Sequence, residues 1–130
     1  MNWYIIIAGL IAAATTVGHF AVGSKKFLKP MLGASFDPIP QKVMHCVFHY
    51  VSTYLILSTV TLLLIGLGIW PSTGTSAVIN FIAVNYALFA VWQIVLAITS
   101  GIPNGIFKLF QWIFFVLIAL FSFLGTGFCL

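Results

Sequence analysis

The chain has 130 residues, of which 62% are hydrophobic and only 5% are charged, whereas about 25% of the residues in a typical soluble domain are charged. So little polar surface excludes a soluble globular domain, and the expected surroundings are the lipid bilayer. Five lysines against one acid give a net charge of +4, but the lysines cluster between apolar segments, so a nucleic-acid partner is not expected.

Four apolar stretches are long enough to cross a membrane, for which a helix needs about 20 residues. They predict transmembrane helices at residues 3–23, 43–69, 76–99 and 106–128. The connections after the second and third stretches are short and rich in Pro and Gly, so successive helices should run antiparallel. The predicted fold class is an all-α membrane protein, an up-down bundle of four transmembrane helices in a single domain at residues 1–130.

The first predicted helix carries small residues at four-residue spacing, as Gly9-x-x-x-Ala13 and Ala14-x-x-x-Gly18. This spacing is typical of helices that approach each other closely in lipid. A bundle of 130 residues cannot enclose a large water-filled cavity within a single copy. We therefore expect a homo-oligomer.

The lysines are expected to set the orientation. Lys25, Lys26, Lys29 and Lys42 lie between the first two apolar stretches, and Lys108 follows the connection between the third and fourth. All five therefore fall on one side of the predicted bundle. Lysine-rich loops face the cytoplasm, so both termini should lie on the non-cytoplasmic side. Contact with anionic lipid headgroups is expected for the four clustered lysines, and the expected location is a bacterial inner membrane with several crossings.

The start of the second helix is marked by Asp37 and Pro38. The Asp37 carboxylate can accept hydrogen bonds from the first free backbone amides, and proline is well suited to the first helical position. We therefore interpret the single acid of the chain as a helix cap.

The three histidines, His19, His45 and His49, are predicted to lie at similar depth in the cytoplasmic half of the membrane. His45 and His49 are four residues apart, which stacks them on one side of a helix. His19 can approach from the antiparallel neighbour. The sequence therefore predicts a shared, cytoplasm-facing site, and further polar residues are expected to line it: Tyr50, Asn85, Gln93 and Gln111.

Neutral imidazole binds zinc, copper, iron and nickel, so the leading interpretation is a site for a transition-metal ion or a single b-type haem. One alternative is a homo-oligomeric channel or transporter for a small solute or ion, and another is an accessory subunit of a larger membrane complex. A purely structural role also stays open, because membrane histidines often hydrogen-bond a neighbouring helix. No nucleophile with an evident base is present, so the sequence does not favour an enzyme.

Overall fold

The computed structural model of the protein describes residues 1–127, and these residues form helices and connecting turns without a strand. The elements are α1 (Trp3–Gly18), the π-helix π1 (His19–Leu28), α2 (Lys29–Gly33), α3 (Pro38–Gly66), α4 (Thr75–Thr99), α5 (Gly105–Lys108) and α6 (Trp112–Gly127). The prediction of an all-helical protein is confirmed for this part of the chain. The predicted end of the fourth helix at residue 128 lies outside the described residues.

The first helix extends beyond its predicted end at Gly23. It runs without interruption through α1, π1 and α2 as one segment, Trp3–Gly33, of 31 residues. The prediction stopped where the hydropathy falls, at Ser24 and the lysines that follow. Backbone hydrogen bonding does not depend on hydropathy, and the next helix-breaking residue is Pro30, which the first turn of α2 tolerates. As a result, Lys25, Lys26 and Lys29 lie on a helix and not in a loop.

The start of α3 has the predicted cap. The Oδ1 atom of Asp37 accepts a hydrogen bond of 2.8 Å from the backbone N–H of Ile39, and Pro38 is the first helical residue. The helix then continues to Gly66. The helix therefore begins five residues before its predicted start at residue 43, and its first turns include Lys42. The reason is that the cap fixes the start of the helix independently of hydropathy.

The fourth predicted helix is divided in the structure. After α5 the backbone leaves the helical conformation at Leu109, where φ is −103° and ψ is 56°. The indole N–H of Trp112 donates a hydrogen bond of 2.9 Å to the carbonyl oxygen of Ile106, which ties the start of α6 to α5. The described part of α6 has 16 residues.

α1 lies between two partners, because it packs against both α3 and α6, while α4 packs mainly against α6. The largest fully buried apolar side chains in this core are Ile5, Leu55, Leu62, Tyr86 and Ile118. The Asn2 side chain donates a hydrogen bond of 2.9 Å to the carbonyl oxygen of Gly125. This bond places the beginning of α1 beside the end of α6.

Glycines allow α1 and α3 to approach closely. A Cβ atom added at Gly9 would lie 2.7 Å from the side chain of Leu63, and one added at Gly66 would lie 2.9 Å from the backbone nitrogen of Ile6. The close-packing role predicted for Gly9 is therefore confirmed. Gly18 differs, because a Cβ atom there would have no neighbour within 4 Å.

Three described helices are long and apolar enough to cross a membrane: Trp3–Gly33, Pro38–Gly66 and Thr75–Thr99. In each of these helices, only 28% of the most apolar 18-residue stretch is buried within the chain. The remaining apolar surface would be costly in water and is stable in lipid.

Candidate functional site

His19 is fixed by contacts with α3. Its Nε2 atom lies 2.9 Å from the Ser52 hydroxyl, and its ring stacks on that of Phe48, with centroids 4.1 Å apart. The Ser52 hydroxyl donates its own proton to the carbonyl oxygen of Phe48 at 2.9 Å. When the Ser52 hydroxyl donates to Phe48, it accepts a hydrogen bond from His19 Nε2–H, and in this tautomer Nδ1 is left as a hydrogen-bond acceptor.

The other two histidines form a separate pair. The Nε2 atoms of His45 and His49 lie 3.2 Å apart, and His49 is exposed. His19 makes its hydrogen bond to Ser52 and stacks on Phe48, while His45 and His49 bond to each other, so a site shared by all three rings stays a prediction. Within residues 1–127, no group of three or more His, Cys, Asp or Glu side chains could hold a metal ion. The pairing of His45 with His49 that was expected along α3 is present.

A cavity of about 320 Å³ lies beside His19, between three helical segments. α1 and π1 form one wall, α3 forms the second, and the beginning of α6 with the preceding turn forms the third. The walls are mostly aromatic and aliphatic, and they include five phenylalanines: Phe27, Phe48, Phe110, Phe114 and Phe115. Because Phe27 and Phe110 are also exposed, the cavity communicates with the outside of the helices.

Small residues of the first helix create this space. Ala14, Gly18 and Gly23 all line the cavity. Ala14 and Gly18, whose spacing predicts close helix packing, therefore border an opening instead. In π1, a Cβ atom on Gly23 would lie 3.6 Å from the Phe48 ring and 3.8 Å from His19 Nδ1. π-helical turns are rare and occur often at functional sites.

One of the polar residues predicted to line the site, Gln111, lies at the cavity, and a second, Gln93, is hydrogen-bonded to it. The amide nitrogen of Gln93 on α4 donates a hydrogen bond of 2.6 Å to the amide oxygen of Gln111. Gln111 also lines the cavity. The pair therefore connects α4 to the cavity wall, and the amide nitrogen of Gln111 is not used in the bond to Gln93.

Tyr50 and Asn85 lie elsewhere. Tyr50 is 69% exposed and borders a shallow surface depression with Lys42 and Cys46. The side chain of Asn85 donates a hydrogen bond of 2.7 Å to the carbonyl oxygen of Phe81 on its own helix. The structure does not bring either residue to His19, because rotation about each helix axis directs them to other faces.

The clustered lysines Lys25, Lys26, Lys29 and Lys42 are all exposed. The first two belong to π1, the same segment that begins with His19. Headgroup contact stays a prediction for these side chains.

Sequence reasoning missed the aromatic walls. Phe48, Phe110, Phe114 and Phe115 could not be distinguished by sequence from side chains that face lipid or fill the core. The one feature of the sequence that relates Phe48 to the histidines is its position directly before His49. This position does not predict that Phe48 stacks on His19.

The described helices define a helical protein with long apolar segments of the kind that cross a membrane several times. The chain matches no protein-family model, no curated protein and no solved structure. Its function is therefore inferred from the side chains around the cavity.

Proposed function

We propose that this protein is a multi-pass membrane protein that binds a small apolar molecule carrying a hydroxyl group in the cavity beside His19. The observation that carries the proposal is the cavity of about 320 Å³, with aromatic walls and a single partly buried imidazole. Small-molecule pockets typically measure about 300–1,000 Å³ and combine apolar walls with a few polar groups that orient the ligand. The volume suits a compact ligand, or the head of a longer one.

Two polar groups specify the ligand class. In the tautomer in which His19 Nε2–H donates to Ser52, His19 Nδ1 is an acceptor. The amide nitrogen of Gln111 is a donor, because its oxygen is held by Gln93. A hydroxyl group can donate to the first and accept from the second. An aromatic or aliphatic body would contact the phenylalanine walls, as is favourable for apolar surface removed from water.

The histidine contacts favour this ligand over a metal ion or a haem at His19. Nε2 of His19 is already hydrogen-bonded to Ser52 at 2.9 Å, so only Nδ1 is left as a ligand atom. A transition-metal site normally uses several such ligands. No contact among the described residues gives specific support to the alternative functions, a channel or an accessory subunit. Formation of a homo-oligomer stays a prediction.

The proposal is tested with 4-hexylphenol and with hexylbenzene, which has the same apolar body without the hydroxyl. Binding to the purified protein is measured by isothermal titration calorimetry at fixed detergent concentration, for the wild type and for His19→Phe. Phenylalanine can keep the ring stacking on Phe48 but has no acceptor. We expect the substitution to weaken 4-hexylphenol binding about 5- to 10-fold, as the loss of one hydrogen bond of about 1–1.4 kcal/mol implies, and to leave hexylbenzene binding unchanged.

Two results would contradict the proposal. If the wild type shows no saturable binding of either probe, the cavity is not a ligand site. If His19→Phe weakens both probes equally, His19 acts only through packing and the hydroxyl specificity is wrong.

The proposed orientation has four crossings and places the lysine-bearing end, with the cavity near it, on the cytoplasmic side. The support is the position of Lys25 and Lys26 within π1 and of Lys42 in the first turns of α3. Cationic residues at membrane boundaries are retained on the cytoplasmic side. The fourth crossing is assigned to α6 together with the apolar residues that precede it.

Single cysteines test this orientation, in a background with Cys46→Ser and Cys129→Ser. Ser72→Cys lies in the connection between α3 and α4, and Gly33→Cys lies at the end of α2. In intact cells an impermeant maleimide should label Ser72→Cys, while Gly33→Cys should be labelled only after permeabilisation. The reverse pattern would show that the lysine-bearing end faces outward.

A further inference from the structure

We propose that His45 and His49 form a second, independent site, which chelates a first-row transition-metal ion on the exposed face of α3. The Nε2 atoms of the two rings lie 3.2 Å apart and point toward each other. In a metal site with bonds of about 2.0–2.1 Å to imidazole nitrogen, two nitrogens are separated by roughly 2.9 Å at a right angle and by roughly 3.4 Å at the tetrahedral angle. The observed separation lies between these two values, so one ion can bind both nitrogens with little rearrangement.

The helix prepares this geometry. Residues four apart lie on the same face of an α-helix, and both histidines belong to the continuous α3 segment Pro38–Gly66. The ring of Phe48 meets that of His49 edge to face, with centroids 5.7 Å apart and an interplanar angle of 89°. This contact restricts the His49 ring in the way that neighbouring groups commonly orient metal ligands.

Binding of an ion to both Nε2 atoms requires a change of tautomer in one of the two rings. In the metal-free pair one Nε2 donates its hydrogen to the other Nε2. When an ion binds both Nε2 atoms, the donating ring shifts its proton to Nδ1, and no net proton is released. The remaining coordination positions are left open by the protein, because His49 is exposed on the surface of α3, and the proposal assigns them to water.

The neighbouring side chains do not complete a closed site. Cys46 is exposed and borders the depression that includes Lys42 and Tyr50, and it does not combine with the two histidines into a group of three ligands. An open site with two imidazoles favours copper over nickel and zinc, according to the usual order of affinity for divalent ions.

The test uses Cu²⁺ with the full-length protein in detergent. We expect one equivalent of Cu²⁺ per chain and an electron paramagnetic resonance spectrum with hyperfine splitting from two imidazole nitrogens. His45→Gln and His49→Gln should each weaken Cu²⁺ binding by at least about tenfold, because the second imidazole binds as an intramolecular ligand at high effective concentration. The matched control is His19→Gln, which should leave Cu²⁺ binding unchanged because Ser52 and Phe48 engage that ring.

Equal Cu²⁺ affinity in the wild type and in the His45→Gln/His49→Gln double variant would overturn the proposal, as would an equal loss in His19→Gln. The same double variant is also titrated with 4-hexylphenol. Unchanged phenol binding shows that the two sites are independent, so the failure of either proposal can be recognised without the other.

Discussion

Substitution of Gly66 by valine should strongly destabilise the packing of α3 against α1. A Cβ atom at this position lies 2.9 Å from the backbone nitrogen of Ile6 and 3.2 Å from the carbonyl carbon of Ile5. Backbone atoms cannot rotate away as a side chain can, so α1 and α3 must separate. We expect a loss of about 3 kcal/mol or more in the free energy of unfolding, or roughly 10 °C in Tm, measured by tryptophan fluorescence in detergent.

Gly33→Val is the matched control, because Gly33 also ends its helix and a Cβ atom there would have no neighbour within 4 Å. It should change stability by no more than about 0.5 kcal/mol. Ile6→Ala should not rescue Gly66→Val, since the clash with the Ile6 backbone persists. Equal Tm values for Gly66→Val and Gly33→Val would show that α1 and α3 are not held at this distance.

Substitution of Gly18 by leucine should abolish ligand binding without unfolding the protein. Gly18 lines the cavity, and a Cβ atom there would have no neighbour within 4 Å. The leucine side chain can therefore enter the cavity and occupy the space of the ligand. We expect 4-hexylphenol binding to weaken by at least about 100-fold, or roughly 3 kcal/mol, while Tm stays the same or rises because an internal space is filled.

Gly33→Leu serves as the control for this substitution, because it adds the same side chain at an open helical glycine that does not line the cavity. It should bind 4-hexylphenol like the wild type. If Gly18→Leu retains binding within about twofold, the ligand site lies elsewhere. If both leucine variants lose binding equally, the effect is not specific to the cavity.

Several features of the fold could be predicted because they depend on local chemistry. The long apolar stretches indicate helices and a membrane environment, since backbone groups in lipid must be hydrogen-bonded within the chain. The Asp37 cap could be predicted because its carboxylate lies only two residues before the Ile39 amide that it binds. The pairing of His45 with His49 follows from their spacing on one helix.

The partner of His19 could not be predicted in the same way. Its contact with Ser52 joins residues 33 positions apart in the sequence, and it depends on the rotation of the first helix against α3. The sequence pattern assumes a regular α-helix, whereas the segment from His19 to Leu28 is a π-helix. A wider helical turn changes the direction in which each following side chain points.

The sequence by itself determined the helical class, the membrane environment and the position of the polar residues along each helix, because hydropathy, caps and residue spacing act over a few residues. Only the tertiary structure decided that Gly66 lies against the backbone of Ile6 while Gly18 borders a cavity. Both are glycines within helices, and no local property distinguishes them. Their different roles arise from the packing of α3 and α6 around α1, which brings together residues from opposite ends of the chain.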